Sequence, residues 1–260
     1  MTNGLSTAEL VIYVILIIPI LYLLVKHGRN GLGGWLFLSA FCVLRIVGGG
    51  MAINGSSPAA TIISSVGLSP LLLATGGILH EARSYCIHGL DAKLEQVLSL
   101  FFHMLVVGGV ALTAAGSAKL EHHQQPIDKD ESIVKAGIAI LTVSWAVLAG
   151  WTVQSFTAPR ATHNVARAGI LLLSSIGVAL VFIGIRVFYT LVALSTERPS
   201  LNPSTGSLAI RVILSFLPEL IATLIYICAG FLTQNAARQA AHGEPDEGSP
   251  SRKPHQAPYV

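Results

Sequence analysis

Glu219 lies near the middle of an apolar run, 207-SLAIRVILSFLPELIATLIYICAGFL-232, and no other of the chain's 13 acidic residues is so placed. A carboxylate at such a depth in a bilayer costs about 2.5–3.5 kcal/mol on insertion scales, so it marks a function or a dedicated partner. Arg45, Arg186, Tyr189 and Arg211 also fall inside long apolar runs, and Glu9 opens the first of them. Two chemistries suit this set. In one, Arg45 or Arg186 pairs with Glu219 and ties helices together. In the other, the surplus of cations receives a ligand rich in oxygen, and a carboxylic acid kept neutral by burial protonates an alkene or an epoxide. A carbocation formed that way needs aromatic faces, for which Trp145, Phe188 and Tyr189 are placed. Glu219 is the first candidate for the acid and Glu9 the second. Glu9 also has a plainer reading as a helix cap, since Ser6-Thr7-Ala8-Glu9 has capping-box spacing.

The elements that must position these residues are membrane helices. The chain has 260 residues, 52% hydrophobic and 11% charged, against roughly 25% charged in soluble domains. Runs near 8–26, 33–53, 59–80, 94–117, 132–155, 166–194 and 207–233 each approach the ~20 residues that cross a hydrocarbon core as a helix. The expected fold is all-α, a polytopic membrane bundle of seven transmembrane helices over 1–235, with 236–260 a disordered tail rich in Pro, Gly, Ser and charge. No room is left for a soluble catalytic domain. The chemistry must lie between the helices or at their mouths.

Lys26, Arg29, Arg83, Lys93, Arg160, Arg167, Arg238, Arg252 and Lys253 fall at one set of helix ends. The other set has Lys119, Lys129 and Arg198, offset by acids. The positive-inside rule then puts the N-terminus outside or in the lumen and the C-terminus in the cytoplasm. At ~1.5 Å per residue, this places Arg45 about 10–12 Å below the outer boundary, Arg186 and Tyr189 in the outer third, Arg211 at the outer mouth and Glu219 near the midplane. A polar-floored cavity opening outward accommodates them all.

Other polar residues read more plainly. His80-Glu81-Ala82-Arg83 ends the third run, where its charges are expected to reach water. His103 reads as hydrogen-bonded packing, and His122-His123 as part of a solvated acidic loop over 118–131. Cys42 and Cys228 fall in spans and Cys86 in a loop, with no disulfide expected. Asn54-Gly55-Ser56 is a glycosylation sequon on the expected outer side. Pro19, Pro70 and Pro218 should kink their helices. Glycine pairs such as Gly76-Gly77 should let helices approach closely.

Absences narrow the function. The seventh run has no Lys for a retinal Schiff base and no Asn-Pro-x-x-Tyr segment, and no cysteine pair can tie an outer loop to the third helix. No Asp-rich pair suits a metal-bound diphosphate, and no basic patch suggests nucleic acid. No metal or cofactor is called for.

Five stretches, 8-AELVIYVILIIPILYLLVKHGR-29, 34-GWLFLSAFCVLRIVGGG-50, 67-GLSPLLLATGGILHEA-82, 184-GIRVFYTLVAL-194 and 217-LPELIA-222, resemble a family of fungal seven-helix membrane proteins. That family includes the integral-membrane terpene cyclases of ascofuranone- and macrophorin-type meroterpenoid pathways. The resemblance spans nearly the whole bundle through short apolar motifs. It implies metal-independent cyclisation of the farnesyl chain of a lipophilic prenylated substrate, in the endoplasmic reticulum or another endomembrane. The alternative from another class is a seven-helix receptor or lipid-responsive sensor.

Overall fold

The protein is described here by a computed structural model covering residues 3–53, 63, 66–87, 91–121, 127–159, 165–196 and 206–236. The secondary structure of these residues is helical throughout its long elements: α1 (Gly4–Gly28), α2 (Gly31–Ile53), α3 (Leu68–Cys86), α4 (Ala92–Glu121), α5 (Ile127–Thr157), α6 (Ala166–Thr196) and α7 (Leu208–Thr233). Asn54 and its sequon, His122-His123 and the tail beyond 236 lie outside the described residues.

All of these helices except α3 are long and apolar enough to cross a membrane. Their outward faces carry Ile18, Val25, Val97, Phe101, Met104, Val153, Val181 and Leu232, each exposed by more than 60%. Such a coat is intolerable in water and natural against lipid tails. The expected bundle is therefore present, with one difference in kind.

That difference is α3. Its only residues that are not buried are Gly77, His80 and Ser84. It packs against α1–α2, α4, α5 and α6, so its neighbours replace lipid as its solvent. A helix so enclosed need not be uniformly apolar, and it can carry charge wherever a neighbour answers it. It also starts later and runs further than the 59–80 run suggested. Pro70 thus falls in the first turn, where a missing N–H costs no helical bond and no kink is needed. Gly77 faces the backbone of Gly33–Gly34 so closely that a Cβ there would collide with it. The glycine pair is what brings α2 against α3.

Local chemistry explains the joints. Gly28, with φ 61° and ψ −149°, turns α1 into α2 in a conformation that a side chain would strain. α1 is already helical at Gly4, so Ser6 sits inside the helix and does not cap it. Similarly, α4 continues to Glu121 and α5 starts at Ile127, converting most of the expected 118–131 loop into helix, with Lys119 and Asp130 3.8 Å apart across the hairpin. Cys86 is the last residue of α3 and buried, not a loop residue; Cys42 is buried and Cys228 exposed, and all three are free thiols. In α7, residues Val212–Phe216 form a π-helical turn directly before Pro218. The wider turn accommodates the ring and the amide hydrogen that proline lacks.

Candidate functional site

At the end of the bundle where α1 and α7 begin, four helices bring charge together. Arg45 comes from α2, Arg186 from α6, Glu219 from α7 and Glu9 from α1. Arg186 Nε donates to Glu219 Oε1 at 2.8 Å, and Arg45 Nη2 pairs with Glu219 Oε2. Arg186 also donates to the Thr190 hydroxyl, and the Thr190 hydroxyl in turn donates to the Arg186 carbonyl at 3.0 Å. Glu219 is fully buried, with Arg186 2% and Arg45 8% exposed. Each guanidinium also lies over an aromatic ring of its own helix, Arg45 over Phe41 at 5.5 Å and Arg186 over Tyr189 at 5.8 Å.

One carboxylate thus answers two arginines. Glu9 is half-buried, and Arg45, Glu219, Arg211 and Arg186 are its electrostatic neighbours. Arg211, on the first turn of α7, is partly buried. Counting Arg45, Arg186 and Arg211 against Glu9 and Glu219, the region carries at least one net positive charge. Glu219 accepts from Arg186 through Oε1 and is ion-paired to Arg45 through Oε2, so both of its oxygens face guanidiniums. As it stands, Glu219 is an anchor.

The sequence places Tyr189 and Arg211 here too, and the structure brings both into the neighbourhood: Arg186 and Arg211 are the charged neighbours of Tyr189. It does not bring Trp145 to the arginines. That indole donates to the Leu180 carbonyl at 2.9 Å, rests over Gly184 and meets Phe188 edge-on at 5.1 Å. Trp145 fastens α5 to α6. His103 donates to the Ser99 carbonyl of its own helix at 2.6 Å and packs on Phe37, in keeping with a packing role.

The opposite end of the bundle corrects one expectation outright. Glu81 and Arg83 do not reach water; Glu81 is 0% and Arg83 8% exposed. Glu81 accepts from Trp35 Nε1 at 3.1 Å and Tyr85 Oη at 3.2 Å, and is hydrogen-bonded to His27 Nδ1 at 2.6 Å. His27 Nε2 donates to the Gly230 carbonyl of α7 at 3.1 Å. Gly230 is among the last residues of that helix, where carbonyls lack intrahelical partners, so His27 caps α7 while holding Glu81. Arg83 grips Glu95 on α4 with its Nε (3.1 and 3.2 Å) and Nη2 (2.6 Å), donates to Ser155 on α5 and lies over Trp151 at 5.3 Å. Sequence reasoning missed this network. Its one legible sign was 27-HGRNG-31, since Gly31 is the position where a Cβ would meet Glu81 Oε2 at 2.7 Å.

Among the described residues no group of three or more His, Cys, Asp or Glu is disposed to hold a metal.

A family model matches residues 1–236, which is the bundle and nothing beyond it. The chain belongs to the family described as domain of unknown function (DUF7702). The comparison with curated proteins gives no match, and neither does the comparison with solved structures. Within this family, then, the arrangement of side chains is what speaks to function.

Proposed function

We propose that this member of the DUF7702 family is an integral-membrane terpene cyclase that closes rings on the farnesyl chain of a meroterpenoid by metal-independent protonation of an alkene or epoxide. The observation that carries the reading is the convergence of Glu9, Arg45, Arg186, Arg211 and Glu219 at one end of a lipid-coated bundle. A prenylated substrate enters such a bundle from the membrane, with its oxygenated ring toward the arginines and its chain among apolar side chains.

The geometry shifts the roles within that reading. Glu219, engaged by two guanidiniums, organises the arginines that receive the polar ring. Proton donation passes to Glu9, which no guanidinium clamps within ion-pair distance among the described residues. The resemblance to the fungal cyclases and the asymmetry of Lys and Arg at the helix ends support an endomembrane protein with this site facing the lumen.

Microsomes containing the full chain, supplied with farnesylated aromatic and epoxycyclohexenone substrates, test it. Glu9→Gln keeps shape and removes the proton, so it should abolish cyclised product at normal expression. Undiminished turnover by that variant would sink the assignment.

One observation favours a second reading. The π turn at Val212–Phe216 sits immediately before Glu219, and π turns within α-helices concentrate at functional sites. A ligand that converted it to α-helix would rotate Glu219 relative to both arginines, as a lipid-responsive sensor requires. Such a protein would bind a lipophilic ligand and release it unchanged.

A further inference from the structure

Two donors at the arginine cluster are buried without an acceptor. The Nε–H of Arg45 and the hydroxyl of Tyr13 meet no hydrogen-bond partner among the described residues, while Arg45 Nη2 and Glu219 Oε2 have only their ion pair with each other. Tyr13 is 0% exposed, and Phe41 and Phe216 hold its ring edge-on at 5.5 and 6.3 Å. Its hydroxyl has Glu219, Arg45, Cys42 and Glu9 as electrostatic neighbours, and the Tyr13 ring and the Arg45 guanidinium both pack on Phe41, each at 5.5 Å. Buried donors are nearly always satisfied, and one left alone destabilises the fold. Gly67 packs against the Arg45 guanidinium so closely that a Cβ there would stand 3.3 Å from its carbon.

The two orphans point to an acceptor, and the charges say of what kind. Three arginines face two carboxylates, an excess of at least one positive charge in a medium that solvates charge poorly. A neutral carbonyl or a water molecule would satisfy the donors and leave the charge. One oxygen-centred negative charge satisfies both. We propose that the arginine cluster around Glu219 binds a monoanion of carboxylate or phenolate type, its oxygen accepting from Arg45 Nε and Tyr13 Oη, with Arg211 supplying the third cation. The inference rests on the site assigned above but needs no turnover, so it stands or falls by binding alone.

The same chemistry arises in the head of a lipophilic molecule and in a small free anion, and the experiment separates them. The full chain in uncharged detergent is titrated at pH 7.5 with farnesoic acid, with its methyl ester and with potassium acetate, reading the thermal unfolding midpoint. Saturable stabilisation is expected from the acid, about tenfold tighter than any from the ester, which lacks the charge but carries the same chain. Stabilisation by acetate at the same concentration would assign the site to free anions, and its absence to lipophilic ones; both keep the monoanion. Tyr13→Phe should weaken the acid about fivefold while leaving the unliganded midpoint unchanged or raised, because an unsatisfied hydroxyl has been removed. Arg45→Lys keeps the charge opposite Glu219 and loses the Nε–H, so it too should bind the acid more weakly. Equal affinity for acid and ester, or wild-type affinity in both variants, would overturn the proposal. Loss of cyclisation without loss of acid binding would overturn only the enzymatic reading.

Discussion

The two ends of this bundle each bury a carboxylate completely, yet they solve the problem in opposite ways. Glu81 is surrounded by groups that match it: an imidazole, an indole N–H and a phenol, with the second imidazole nitrogen answered by the Gly230 carbonyl. Each of these donors has an acceptor, although Trp151 Nε1, beside Arg83 at the same end, has none among the described residues. Glu219 is surrounded by more than it can answer: two guanidiniums in direct contact, a third in the neighbourhood and a tyrosine hydroxyl with no acceptor. A saturated network holds helices at low cost and gains nothing from a ligand. An unsaturated one keeps a cost that a ligand can remove. The difference separates a fastening from a site, though both would read as buried ion pairs.

Breaking each end in turn sharpens the contrast. The largest effect is expected from Glu219→Ala, which leaves Arg45 and Arg186 buried without a counter-charge. Removing one partner of a buried ion pair costs about 3–5 kcal/mol, visible as a fall in the unfolding midpoint in detergent. If the bundle tolerated this change, Glu219 would not be the anchor described. Next comes Glu81→Gln, where Trp35 and Tyr85, which donate to different carboxylate oxygens, cannot both be met by the single amide oxygen. A loss of about 1–3 kcal/mol is expected, from the donor left facing the amide nitrogen and the altered bond to His27. A loss equal to that of Glu219→Ala would erase the distinction between the ends. The smallest and most telling is a pair of tyrosines. Tyr85→Phe should cost about 1 kcal/mol because its hydroxyl is bonded, whereas Tyr13→Phe should cost nothing because its hydroxyl is not. Equal losses would mean that the two hydroxyls are equally satisfied.

How much of this was legible beforehand differs residue by residue. Arg45, Arg186, Arg211 and Glu219 announce themselves because charge is conspicuous against apolar neighbours in their own helix. Glu81 was equally charged but misread, since its place near the end of an apolar run made water the obvious partner. Nothing in 78-ILHEAR-83 states that α1, α2, α4 and α5 close over it. Tyr13 drew no notice, because a tyrosine in an apolar span is ordinary until its hydroxyl is found without an acceptor. Trp145 was rightly placed inside the bundle, but the Leu180 carbonyl that claims its indole lies 35 residues away.

Composition by itself determined the medium. A chain 52% hydrophobic, with runs of about twenty apolar residues, folds as helices in lipid because only helices satisfy their own backbone there. Local residue chemistry determined the joint at Gly28 and the interruption before Pro218, since both follow from the backbone limits of single residues. Tertiary structure alone decided which helix goes to the centre, which carboxylate is fully answered and which donors are left over. Those outcomes depend on side chains brought together from distant parts of the chain, and partnership across a bundle has no signature in spacing.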